Sequence, residues 1–63
     1  MQDYQKRVIE EKNVLDGKIE RLKAFFSSDI YLSLREENQQ LFQEQLEFMV
    51  GYTDILAKRI QQF

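Results

Sequence analysis

The chain has 63 residues, a formal net charge of −2, and no Cys, His or Pro. At that length it forms one domain at most, spanning 1–63, and buries only about 60% of its unfolded surface. Disulfides and a structural zinc are excluded as staples, which leaves oligomerisation as the expected source of extra stability. The longest strictly apolar runs have three residues, as in Phe48 to Val50, far short of a membrane span, so a soluble, cytoplasmic protein is expected.

Seven-residue periodicity in two segments that no Pro interrupts predicts an all-α protein. The first helix begins near Gln2 or Asp3, where an acid suits the positive end of the helix dipole, and runs to Phe26. Along it one column of seven-residue spacing reads Met1, Val8, Leu15, Leu22, and the next reads Tyr4, Glu11, Lys18, Phe25. Ser27, Ser28 and Asp29 form the turn cluster, and Ile30, Tyr31 and Leu32 a short helical turn over the connection. Ser33 and Glu36 have capping-box spacing, so the second long helix is expected from about Leu34 to 62. Its columns read Phe42, Met49, Leu56, Phe63 and then Asn38, Gln45, Tyr52, Arg59. Position a is therefore apolar in both helices, while position d is largely polar. A seam that only buried itself would be apolar at both, which makes the d columns the first place to look for function. The same columns have a purely structural account: tyrosines at the rim, Lys18 extended along its stem, and amides that set register or oligomer state.

Four i, i+4 pairs are expected to support the helices: Lys6 with Glu10, Arg7 with Glu11, Lys12 with Asp16 and Asp54 with Lys58. Gly17 and Gly51 break the helical propensity at about 1 kcal/mol each relative to Ala. Either they sit on exposed faces, or another subunit or a ligand approaches closely there.

Charge is unevenly spread. Residues 2–26 carry six Lys or Arg against five acids, and residues 27–63 carry three against six. A straight antiparallel fold-back places Tyr4 near Leu56, Val8 near Tyr52, Leu15 near Gln45 and Phe26 near Leu34. Lys58 and Arg59 then join Tyr4, Lys6 and Arg7 at one end. Four basic side chains beside an aromatic ring suit a small anionic ligand with a planar base, because Arg offers a forked donor to phosphate and Tyr a face for stacking. The competing reading is ordinary complementation of the helix dipoles by charged ends. A catalytic role is argued against by the lack of His, Cys, a Gly-rich phosphate loop and a nucleophile elbow. No cofactor or metal is expected, because the carboxylates are scattered along solvated faces.

The pattern Tyr4-x-x-Arg7-Val8-x-x-Glu11, Leu15-x-x-Lys18, Leu22, Phe25-Phe26, then Gln45-x-x-x-Met49-x-x-Tyr52-x-x-Ile55-Leu56-x-x-Arg59-Ile60 resembles the small phage helical hairpins that include the anti-CBASS and anti-Thoeris sponge proteins. The resemblance covers nearly the whole chain. It implies a two-helix hairpin assembled as a homo-oligomer, a hexamer in that family. It also implies a non-catalytic activity in the host bacterial cell: sequestering cyclic di- or trinucleotides or cyclic ADP-ribose isomers that serve as immune signals. By the same resemblance Tyr4 stacks on a base and Lys18 holds phosphate with Arg7 between them, Arg21 and Lys23 being alternatives to Lys18. Arg59 is the matching candidate for an Arg contributed by the later helix. Two other classes stay in view: a structural or adaptor hairpin for protein–protein assembly, and a nucleic-acid-binding modulator of transcription, which the acidic second half disfavours.

Overall fold

A computed structural model describes residues 1–63, and 86% of them are helical. Helix α1 spans Asp3–Phe25, α2 spans Asp29–Ser33 and α3 spans Glu36–Gln61. The long helices α1 and α3 pack as a hairpin whose principal extents are 46 × 15 × 12 Å. The start of α1 follows the expectation. Gln2 is the N-cap, its N–H donates to Gln5 Oε1 at 3.0 Å, and Asp3 lies in the first turn, where the exposed N–H groups favour a negative charge.

The connection is tied by one hydroxyl. Ser28 Oγ donates to the Phe25 carbonyl at 2.6 Å and accepts from the Tyr31 N–H at 3.1 Å, so it closes α1 and caps α2 at once. The expected start of the second long helix needs correction. Ser33 is the last residue of α2, and its hydroxyl donates to the Ile30 carbonyl at 2.8 Å in place of capping α3. Leu34 and Arg35 are extended, at ψ 153° and 149°, and α3 begins at Glu36 with Arg35 as N-cap. Two extended residues are what the chain uses to reverse direction, and a Ser hydroxyl readily bonds a carbonyl one turn back.

The aromatic cluster built on α2 sets the register of the hairpin. Tyr31 is buried among Phe25, Phe26 and Phe42, with ring centroids 5.7, 4.8 and 6.4 Å away. Its hydroxyl donates to the Gln39 carbonyl at 3.3 Å and accepts from Gln43 Nε2 at 3.0 Å, while Gln39 Nε2 donates to the Tyr31 carbonyl at 2.9 Å. The first turns of α3 therefore lie over α2, beyond the end of α1. Phe25 stacks edge-on against Phe42, Thr53 hydrogen-bonds Asp16, and Tyr4 meets Phe63 at 5.9 Å. The straight fold-back, which paired Tyr4 with Leu56 and Val8 with Tyr52, is thus displaced by about seven residues, or about 10 Å. It assumed level helix ends, and α2 with its aromatic packing takes up the difference.

Only six residues are buried: Val8, Leu15, Ile19, Leu22, Tyr31 and Leu56. Leu56, at 0% exposure, joins Val8, Leu15 and Ile19 in the α1–α3 core, and Leu46, Met49 and Ile60 pack against that cluster. Met1 precedes α1 and is exposed, so the apolar column of α1 starts in practice at Val8. Of the expected ion pairs Lys12–Asp16 forms, at 2.8 Å, and Lys23–Glu20 adds a looser one at 3.8 Å. The pairs Lys6–Glu10, Arg7–Glu11 and Asp54–Lys58 do not form, in keeping with the small gain of an exposed pair against the entropy of two long side chains. Asp16 differs because a second helix holds its carboxylate. Lys12 Nζ and Thr53 Oγ1 both donate to it, and these two bonds, Lys12 first, lower its pKa despite the opposing effect of partial burial.

Two outcomes follow from this core. Leu56→Ala removes the most enclosed side chain, and the loss of about 2 to 5 kcal/mol usual for such truncations is expected as a collapse of the urea midpoint. Thr53→Val is expected to lower the thermal midpoint at neutral pH. Because the folded-state pKa of Asp16 lies below its unfolded value, its contribution is present above about pH 3.9 and disappears as pH falls through the folded value. The gap between Thr53→Val and the parent protein should narrow in melting curves taken toward pH 2.

Candidate functional site

Three members of the d columns, Glu11 and Lys18 of α1 and Tyr52 of α3, border the crease between the two helices. An open groove of about 440 Å³ runs along that crease, lined by Arg7, Glu10, Glu11, Val14, Leu15 and Lys18 of α1 and by Tyr52 of α3. Helical spacing explains the set. Residues 7, 11, 14 and 18 recur at intervals of three and four and so share one face, and Leu15, buried in the core, forms the floor. The displaced register brings Tyr52 level with Leu15. A smaller hollow of about 210 Å³ lies toward the connection, lined by Asn38, Leu41, Phe42 and Gln45.

Of the four residues singled out in the sequence, Arg7 and Lys18 both line the groove. Tyr4 does not line it. Its ring packs edge-on against Phe63 at the open end of the hairpin, where it stays 56% exposed. Arg59 is exposed on α3 outside the groove lining, in the same column as Tyr52 and, by the register that joins Tyr4 to Phe63, about level with Val8. Arg21 and Lys23, the alternatives to Lys18, lie outside the lining as well.

The groove has a definite chemistry. One guanidinium, one ammonium and two carboxylates line it, so its formal charge is balanced and long-range attraction for an anion is weak. What it offers is local: a forked donor, a point charge, two acceptors and a tyrosine ring over an apolar floor. A volume near 440 Å³ falls within the range of small-molecule sites.

Similarity to known proteins extends over nearly the whole chain. A family model described as Sequestin matches residues 2–62. The chain belongs to the Sequestin family. A relative from Enterobacteria phage T4, described as an uncharacterized 7.5 kDa protein of the denB-rIIB intergenic region, is 40% identical over 60 residues, which cover 95% of this chain and 94% of the relative. No solved structure matches. This Sequestin chain has no helix long and apolar enough to cross a membrane.

Tyr52 is the lining residue whose place the sequence did not reveal. Its column was visible, but its level depended on how far α3 overshoots α1. The signal lay in the aromatic run Phe25, Phe26 and Tyr31 with Phe42 beyond it, since four rings around one connection need a packed cap and not a tight turn.

Proposed function

We propose that this Sequestin protein is a phage anti-defence sponge that binds and sequesters a cyclic oligonucleotide or cyclic ADP-ribose immune signal without catalysis, working as a homo-oligomer inside the host cell. The observation that carries the reading is the groove of Arg7, Lys18 and Tyr52, joined to membership of a family named for sequestering. Arg7 and Lys18 hold phosphate oxygens from the two ends of the groove, and Tyr52 supplies a face for a base. Glu10 and Glu11 accept hydrogen bonds from base N–H or ribose hydroxyl groups. Tyr4, one turn before Arg7 on the same face, and Arg59 extend the site at its basic end. Because the lining is charge-balanced, affinity comes from stacking and directed hydrogen bonds, and a ligand with the wrong donor pattern meets two unpaired carboxylates. This gives selectivity among anions of similar charge.

A structural or adaptor role is the second reading. It is favoured by the apolar side chains that α3 leaves exposed. Isothermal titration of the intact protein against cyclic di- and trinucleotides and cyclic ADP-ribose isomers separates the two. Saturable heat with at least one compound is expected, and heat with none removes the sponge reading. With the responding compound, Tyr52→Ala should weaken binding about 5- to 150-fold, the range that corresponds to stacking worth about 1 to 3 kcal/mol per base. Arg7→Glu and Lys18→Glu should abolish it while the helical circular dichroism stays unchanged. Tyr4→Ala should cost less than Tyr52→Ala.

A further inference from the structure

Two stripes of α3 are suited to pack against α1. The one that does so runs Phe42, Leu46, Met49, Thr53, Leu56, Ile60, with Thr53 its one polar member. A second, one residue behind it, runs Leu41, Gln45, Phe48, Tyr52, Ile55. Both alternate steps of four and three, the spacing of a helix that packs on a helix, and turning α3 by about 100° about its axis exchanges them. The second stripe leaves Phe48 79% exposed and Ile55 56% exposed. Apolar burial is non-directional, so it selects between two such stripes only by their difference. Something directional must settle which way α3 faces at the groove.

We infer that the Thr53–Asp16 hydrogen bond holds Tyr52 on the wall of the groove, which makes Thr53 and Asp16 positioning residues of the proposed site. Thr53 Oγ1 donates to Asp16 Oδ1 at 2.5 Å, and this is the one side-chain hydrogen bond that joins α1 to α3. The acceptor is itself held, because Lys12 Nζ donates to Asp16 Oδ2 at 2.8 Å. By helical spacing Lys12 and Asp16 lie on one flank of the core stripe of α1, and Arg7, Glu11, Val14 and Lys18 lie on the other. The tie and the groove therefore stand on opposite sides of the seam. Tyr52 and Thr53 are neighbours, set about 100° apart around α3. Anchoring Thr53 on one flank thus points Tyr52 to the other. A turn that buried Phe48 and Ile55 would draw Tyr52 into the seam and lift the Thr53 hydroxyl off Asp16.

The cap around Tyr31 fixes how far α3 slides along α1, and the tie fixes how α3 is turned at the level of the groove. The last hydrogen bond of the cap on α3 comes from Gln43, which precedes Thr53 by about 15 Å along the helix. Between the two stand apolar contacts alone. A polar residue in an otherwise apolar seam is a known means of fixing which faces meet. Here its partner is a carboxylate, which makes the bond stronger than one between neutral groups.

This role rests on the sponge reading, and two measurements keep them apart. The chain has no Trp, so Tyr52→Trp places a single indole in the groove wall. In the nucleotide-free protein its fluorescence anisotropy should fall with Thr53→Ala or Asp16→Ala and return with Thr53→Ser. It should stay at the starting value with Ile60→Val, which trims the same core away from the tie. Isothermal titration with cyclic di-AMP, cyclic tri-AMP and cyclic ADP-ribose, with Tyr52 in place, reads the consequence. For a compound that binds the parent protein, Thr53→Ala and Asp16→Ala should each weaken binding about 3- to 30-fold, below the roughly 150-fold ceiling that a hydrogen bond to a charged group sets. The double variant should lose no more than either single one, since the same bond is gone, and Thr53→Ser should restore affinity. Unchanged anisotropy with Thr53→Ala, an equal fall with Ile60→Val, or unchanged affinity in the two alanine variants overturns the positioning role. Heat with none of the compounds removes the sponge reading, and the anisotropy series still decides whether the tie holds the ring.

Discussion

The fold turns on the packing of Tyr31. A buried tyrosine must find partners for its hydroxyl, and here the Gln39 carbonyl and the Gln43 amide supply them, while three phenylalanine rings enclose its body. Each aromatic pair contributes about 0.5 to 1.5 kcal/mol beyond area burial, which is large for a chain with six buried residues. Because the partners of Tyr31 lie in the first turns of α3, that helix is held over α2 and slides past the end of α1. Every later facing pair inherits the displacement. Thr53 reaches Asp16, Leu56 enters the core, and Tyr52 comes level with Leu15 in the groove.

A hairpin this thin cannot enclose a site. It buries one stripe per helix and leaves Glu11, Lys18 and Tyr52 at the edge of the crease. The groove is thus a product of economy: its floor is the core residue Leu15, and its walls are side chains one position removed from the core. Shallow walls limit desolvation, so binding strength depends on directed bonds and on whatever stiffens the aromatic ring.

Much of this was legible in the residues. Asp3 and the heptad of Val8, Leu15 and Leu22 marked α1 nearly to the residue. Ser27 to Asp29 marked the turn, and Ile30 to Leu32 the helical turn within it. The Lys12–Asp16 pair was visible at i, i+4, but its persistence was not, because that depends on Thr53 from the other long helix. Ser33 and Glu36 had the spacing of a capping box and did not form one. Spacing cannot tell whether a hydroxyl bonds forward to a helix start or back to the carbonyl it has just passed.

For the site, the sequence by itself determined which residues share a face, since periodicity fixes that within one helix: Arg7, Glu11 and Lys18 were bound to line up wherever α1 packed. The tertiary structure alone decided which part of α3 stands opposite them. That choice rests on the axial offset between two helices, to which a seven-residue repeat is blind, because sliding by one heptad leaves every column in place. The aromatic packing at the connection sets the offset, and so Tyr52, not Arg59, faces Arg7 and Lys18 across the crease.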